Sequence, residues 1–322
     1  MAVWNDAVVT ARQRALGYGL VLTAAVLFGL NGGISRIPLR SGTDEAVFTT
    51  VRITGALAVL AVIALITNRS ALRPPPLTRW PLVLGLGAVG IAGLQGLYNV
   101  SINRLPLGIA LLIEYTGPLM VVLWVRFARR EPVHSRMWPA LAMALVGLAI
   151  VARVWDGMVF DSVGVAAAMI AAACFAAYFI LGEDDGVSAE PLRYILWAFV
   201  VAAVIMNIAA PSWHADSLGV DASLLGRLSD HSIPAWVAMT SVVVLGTVTP
   251  FFLLLLAMRH LPATVVSVVA MLEPVVASVV GWAWFRESLT VVQIVGIAVL
   301  LGGIVLAQTA RRTEHPEPLP QV

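Results

Sequence analysis

Three ionisable side chains interrupt an otherwise lipid-soluble sequence: Arg52, Glu114 and Glu273. A charged group at mid-bilayer costs about 2.5–3.5 kcal/mol on insertion scales. Packing alone could be satisfied by a cheaper residue, so the placement points to chemistry. A carboxyl group at that depth can bind an ammonium group, and a low dielectric lets it carry a proton as well. The competing reading is an internal hydrogen bond that only fixes helix packing. Function is favoured for at least one of the two glutamates. Arg52 could receive a substrate carboxylate, pair with Glu114, or extend its guanidinium to the interface. From its position alone the last, structural role is the stronger expectation.

Helix-breaking residues stand beside both acids. Pro118 follows Gly117, and Pro274 follows Glu273. A proline inside a helix frees the carbonyl four residues earlier, here those of Glu114 and Ala270. Such irregular backbone is tolerated at membrane depth only where protein or a wet cavity satisfies it. Pro250, in Thr247-Val248-Thr249-Pro250, repeats the pattern, although an ordinary kink suffices there. Asn31, Gln95, Tyr98, Asn99, Tyr115, Thr116 and Tyr178 are polar or amphipathic groups in apolar surroundings. Some are expected to line a pathway and others to hydrogen-bond between helices.

Other chemistry is not encoded in recognisable form. Gly85-Leu-Gly87-Ala-Val-Gly90 has the spacing of a dinucleotide fingerprint, but no strand precedes it and no soluble crossover follows. It reads instead as small residues that let helices approach closely. The five histidines are scattered, without metal-ligand spacing, and no nucleophile turn is present. The expectation is therefore no enzyme, no metal and no cofactor. The single cysteine, Cys174, reads as a small core residue.

The elements that position these groups follow from composition. The chain is 60% hydrophobic and 12% charged, about half the charge of a soluble domain. So few charges cannot make a water-soluble surface. The net charge of +2 with no basic stripe argues against nucleic acid as a partner. Ten segments approach the ~20 apolar residues that a span requires: 16–36, 46–67, 80–101, 105–126, 137–155, 161–181, 192–211, 234–257, 262–283 and 289–309. The first could be mistaken for a signal peptide, but it has the length of a full span and no clean cleavage site follows. The longest connection, 211–234, reads as an exposed loop, and Arg69 to Arg79 as a stiff proline-containing connector.

Part of the sequence occurs twice. Leu105-Pro106, Pro118 and Arg130-Glu131 return 156 positions later as Leu261-Pro262, Pro274 and Arg286-Glu287, and Gly90 and Gly147 as Gly246 and Gly303. A fainter match, Ala24-Ala25…Phe28 against Ala171-Ala172…Phe175, has an offset of 147. The nine-residue difference fits extra length in the second half, in the 211–234 loop. Five spans per half is an odd number, so the halves enter the membrane from opposite sides. The fold expected is all-α integral membrane: ten transmembrane helices as two inverted five-helix repeats, 16–155 and 161–309. A cytoplasmic segment at 1–15 and a cytoplasmic tail at 310–322 flank them. Thirteen arginines fall on the side of both termini and six on the other, which places both termini in the cytoplasm.

At this point the residues resemble a known family. Pro106-Leu-Gly-Ile-Ala-Leu-Leu-Ile-Glu-Tyr-Thr-Gly-Pro118 is similar to the fourth-helix signature of threonine/homoserine exporters. These belong to the EamA family of the drug/metabolite transporter superfamily. Leu261-Pro262, Met271-Leu-Glu-Pro274 and Arg286-Glu287-Ser-Leu-Thr290 resemble that family's second-half elements, and Arg52 matches its second-helix arginine. Arg286 stands where the family has glycine, at a loop edge. The resemblance implies a central cavity and efflux of a small-molecule substrate from a bacterium through its inner membrane. It favours small amino acids, with another metabolite or drug class as the alternative and a non-transport membrane protein as the weaker one. Alternating access, with protons as a candidate partner, is the expected mechanism. Substrate and oligomeric state are not specified by the sequence.

Overall fold

The computed structural model describes residues 2–155 and 161–309. Nine helices among them are long and apolar enough to cross a membrane, and a tenth is shorter but apolar. In chain order they are α1 (Ala11–Arg40), α2 (Glu45–Thr67), α3 (Leu77–Ile102), α4 (Gly108–Ala128), α5 (Met137–Val151), α6 (Ser162–Gly182), α7 (Pro191–Ala209), α8 (Ala235–Met258), α9 (Ala263–Ala283) and α10 (Val291–Thr309). The segment expected to flank them at 1–15 is helical from Ala2 and continuous with α1. The expected tail, 310–322, lies outside the described residues. α5 stops four residues short of its expected end, because Arg153 takes a left-handed conformation (φ 48°). Helix starts follow local chemistry. Asp44 accepts the Ala46 and Val47 N–H groups at α2, and Asp161 accepts Gly164 N–H at α6. That bond, with Arg104 nearby, holds the exposed Asp161 carboxyl below its ordinary range.

Apolar side chains point outward as well as inward. Ile66, Val146, Ile170, Val204 and Val305 are all exposed, as a surface solvated by hydrocarbon allows. The connection at 211–234 departs from the expected loop. It folds into 3-10 turns and an antiparallel hairpin, β1 (Asp221–Ser223) and β2 (Ser232–Pro234), with Asp221 opposite Pro234. Ala222 of β1 is buried in a small cluster with Ile37, Ala235 and Ala238, and the Trp284 indole donates to Leu224 O. Its charged residues concealed this short buried stripe.

The internal two-fold is written in the packing. A Cβ at Gly17 would meet Leu261 Cγ at 2.8 Å and His260 Cβ at 2.9 Å; one at Gly164 would meet Leu105 Cγ at 2.8 Å and Arg104 Cβ at 2.9 Å. Offsets of 147 for α1 against α6, and 156 for α3 against α8, convert one contact into the other. Gly90 packs on Tyr178 as Gly246 packs on Asn31. Gly147 abuts Leu300 while Gly303 abuts Ala144, joining α5 to α10 across the axis. The interruptions match too. α3 is π-helical over Gly85–Gly93 and α8 over Val244–Val248. α4 breaks between Leu107–Glu114 and Gly117–Leu123, and α9 between Ala263–Ala270 and Glu273–Ala283.

Helices also exchange partners between repeats. α1 packs on α8 and α9, whereas α6 packs on α3 and α4. α2 is joined to α7 through Thr50 Oγ1 to Met206 O (3.3 Å) and Asn207 Nδ2 to Thr54 Oγ1 (2.8 Å). The glycines of α3 serve close approach as expected: at Gly87 a Cβ would run into Val201 and the backbone of Ala198.

Candidate functional site

A cavity of about 360 Å³ opens among α1, α2, α3, α4, α6, α8 and α9. Its wall takes the second half of α1 and α3, the first half of α2 and α4, and the second piece of α9. All of these ends lie toward the odd-numbered connections, so the cavity faces that side. Tyr178 of α6, with Phe251 and Leu254 of α8, forms its floor. Beyond the floor, toward the even-numbered connections, the corresponding space is filled. Leu255, Met258, Val266 and Val268–Met271 are all buried there.

Both acids reach the cavity from the two helix breaks. Glu114 is the last residue of the first piece of α4, and Glu273 the first residue of the second piece of α9. Pro118 leaves the Glu114 carbonyl without its intrahelical donor. The chain turns there through Thr116 N to Ile113 O (3.0 Å), and in α9 through Leu272 N to Val269 O (3.0 Å). Tyr115, buried on the same wall, lies beside Glu273. Arg52 does not extend to the interface. Its Nε is enclosed without a hydrogen-bond partner, and Glu273, Tyr98 and Glu114 are its electrostatic neighbours. Glu114, Glu273 and Arg52 thus share one cavity, with Tyr98 and Tyr115 on its wall.

Nine of the residues singled out from sequence line this cavity: Asn31, Arg52, Gln95, Tyr98, Asn99, Glu114, Tyr115, Tyr178 and Glu273. Within it, Asn31 Oδ1 accepts from Ser35 Oγ at 3.2 Å, and Asn99 Nδ2 donates to Thr49 Oγ1 at 2.7 Å. Tyr178 donates its hydroxyl to Phe251 O at 2.7 Å. Thr116 is not among the lining residues; its hydroxyl bonds back to Ile113 O at 2.7 Å. Gly117, Pro118, Pro274 and Pro250 shape the backbone from buried positions. Gly117 lets α4 close on Phe175 and the Ala172 carbonyl.

Sequence reasoning missed Glu45, Thr49 and Arg36, which also face the cavity. Glu45 looked like one more acid at a helix start, beside the capping Asp44. The available signal was spacing: Glu45, Thr49 and Arg52 recur at four and three residues, one face of a helix. One Glu45 carboxylate oxygen is buried with no hydrogen-bond partner. Phe28, Phe48, Phe175 and Phe285 complete apolar walls that no polar pattern announces.

Ten apolar helices in two inverted halves, with a one-sided polar cavity at the broken helices, define a multi-pass membrane transporter. The EamA-like transporter family model matches residues 15–153 and again 162–309, and the chain belongs to that family. It is similar to the threonine/homoserine exporter RhtA of Salmonella typhimurium (strain LT2) and of Escherichia coli (strain K12), 29% identical over 219 residues in each case. Those matches cover 66% of this chain and 66% of each exporter, just under two thirds of their length. An uncharacterized transporter of Archaeoglobus fulgidus is 25% identical across 91% of this chain and 97% of its own. A solved crystal structure superposes with a TM-score of 0.74 over 95% of this chain and 99% of that one, at 19% identity, a likeness of fold.

Proposed function

We propose that this transporter exports small amino acids, or amphipathic metabolites of the same charge pattern, by alternating access. One observation carries the reading: an enclosed arginine stands opposite two enclosed glutamates in a single cavity. A zwitterion brings one charge of each sign and so offers a partner to both. In this reading Arg52 receives the carboxylate. Glu114, with its proline-freed carbonyl, receives the ammonium. Glu273, with Tyr115 beside it, holds the counter-charge and exchanges a proton when the cavity is empty. The cavity volume sits at the small end of the range for ligand pockets, about 300–1,000 Å³, and its phenylalanine walls suit a short apolar side chain. The names of the exporters it resembles support the same class of substrate.

The arginine distribution supports a cytoplasmic location for the even-numbered connections, and in this reading the cavity opens outward. Efflux from vesicles loaded with threonine is the test. Glu114→Gln and Glu273→Gln proteins should each lose most transport, whereas wild-type rates in both would remove these roles. A second reading, a drug or another metabolite as cargo, draws on the aromatic wall. A substrate panel separates the two: export of uncharged aromatic compounds, with amino acids ignored, favours the second.

A further inference from the structure

The two ends of the molecule carry equivalent residues in different arrangements, and the differences identify what holds the closed end. Three contacts seal the even-numbered side. Tyr178 donates to Phe251 O. Gly182 is covered by Met258 and Leu255. Glu183 accepts the Ala263 N–H at 2.9 Å. The last satisfies one of the N–H groups that a helix start leaves without an intrahelical partner. Glu183 is itself held by Arg129, whose second terminal nitrogen reaches Ile180 O.

The repeat offsets convert each contact into its image at the odd-numbered side. Tyr178 with Phe251 becomes Asn31 with Gln95. Gly182 with Met258 becomes Ser35 with Ile102. All four of these residues line the open cavity instead. Glu183 with Arg129 becomes Arg36 with Phe285, and there the guanidinium does lie over the ring, 4.4 Å from its centroid. Arg36 also pairs with Glu287 at 2.8 Å. Ala263 becomes Leu107, the first residue of the first piece of α4.

Chemistry breaks the symmetry at one position. A carboxylate can accept a backbone N–H; a guanidinium only donates. We propose that Glu183 is the latch of the even-numbered gate, and that Arg36, its counterpart, cannot latch the odd-numbered gate. When the opposite-facing state forms, Asn31 meets Gln95 and Ser35 meets Ile102, but Leu107 N–H finds no acceptor in Arg36. The odd-side-open state is therefore the resting one. The inference rests on the alternating-access reading and adds residues to it that do not touch the substrate. Exposure agrees: the Arg129 and Glu183 side chains are 31% and 21% accessible, those of Arg36 and Glu287 42% and 52%. The even-side pair is the more sheltered from water.

The test is a reporter disulfide, Ser35→Cys with Ile102→Cys in a Cys174→Ala background of the full chain, reconstituted in liposomes. Cross-linking reports closure of the odd-numbered end. Glu183→Ala should speed it about fivefold or more, in line with loss of a helix cap. Glu183→Gln keeps a carbonyl acceptor for Ala263 and should stay within about twofold of the parent. Arg36→Glu with Phe285→Arg rebuilds the latch at the other end and should also speed cross-linking. Parental rates in both Glu183→Ala and the rebuilt protein overturn the latch while leaving alternating access intact. So does a Glu183→Gln rate equal to that of Glu183→Ala, because the Arg129 pair would then be the holding contact. A reporter pair that never cross-links in any variant, the rebuilt one included, overturns alternating access and the latch together.

Discussion

The second piece of α9 and the second piece of α4 occupy equivalent places at opposite ends of the molecule, yet one borders open space and the other a packed plug. Around Glu273–Ala283 stand Asn31, Ser35, Gln95 and Ile102, all facing the cavity. Around Gly117–Leu123 stand their counterparts Tyr178, Gly182, Phe251 and Met258, closed on one another. Helix positions are shared between the two sets, and side-chain character is not. The closed set is bulky and aromatic, with a hydroxyl to complete its seal; the open set is smaller and more polar. An inverted duplication thus supplies two gates of one design and different strength, and substitutions at paired positions distinguish them.

The largest effect is expected at the centre, which both gates share. Arg52→Ala removes the cation whose electrostatic neighbours are Glu273 and Glu114, and should destabilise the fold. Thermal unfolding in detergent should show it, and efflux should fall by at least about a hundredfold. Next come the paired glycines. A methyl at Gly90 would approach Tyr178 no closer than 3.2 Å, whereas one at Gly246 would overlap the Asn31 amide. Gly246→Ala should therefore destabilise by about 1–3 kcal/mol and Gly90→Ala by clearly less; equal losses in melting experiments would contradict the packing described.

Tyr178→Phe deletes the hydrogen bond to Phe251 O, worth about 1 kcal/mol. It should move the population toward the opposite-facing state, read as faster Ser35→Cys to Ile102→Cys cross-linking. Asn31→Ala should move it the other way. The smallest effect concerns the loop edges. Arg130 and Arg286, equivalent residues, both have left-handed backbones, φ 58° and 60°. The N–H groups of Glu131 and Glu287 reach back to Val125 O and Gly281 O, closing helix ends of the glycine type. Arg286→Gly should stabilise by about 0.5–1 kcal/mol, measured as a raised Tm. An unchanged Tm would mean that the arginine's conformation carries no strain.

Much of this was legible in the chain. Apolar length gave the helices, and the return of Leu105-Pro106 as Leu261-Pro262 gave the inversion. The weak 147 offset proved to be a contact rule, with Gly17 on Leu261 and Gly164 on Leu105. The acids were visible because their burial is so unfavourable. The departure at Arg286 looked innocuous, but it occupies a left-handed backbone, the conformation that favours glycine. Which end is open was not legible, because a duplicated sequence encodes both gates and their difference lies in small inequalities of fit. Thr116 was grouped with the lining residues since its type suited them; its hydroxyl serves its own broken turn. Arg36 and Glu45 were passed over because charges near span ends resemble ordinary interface residues.

The exchange of helices between repeats also bears on biogenesis. α1 leaves the ribosome well before α8 and α9, but the surfaces that cover Gly17, Gly29 and Gly33 belong to Leu261, Val276 and Val280. Those residues are translated only after α8 and within α9. Until then α1 must wait in lipid with a notched flank unfilled, and no five-span intermediate can mature alone. Quality control that recognises unpartnered spans would therefore survey this protein until α9 has emerged.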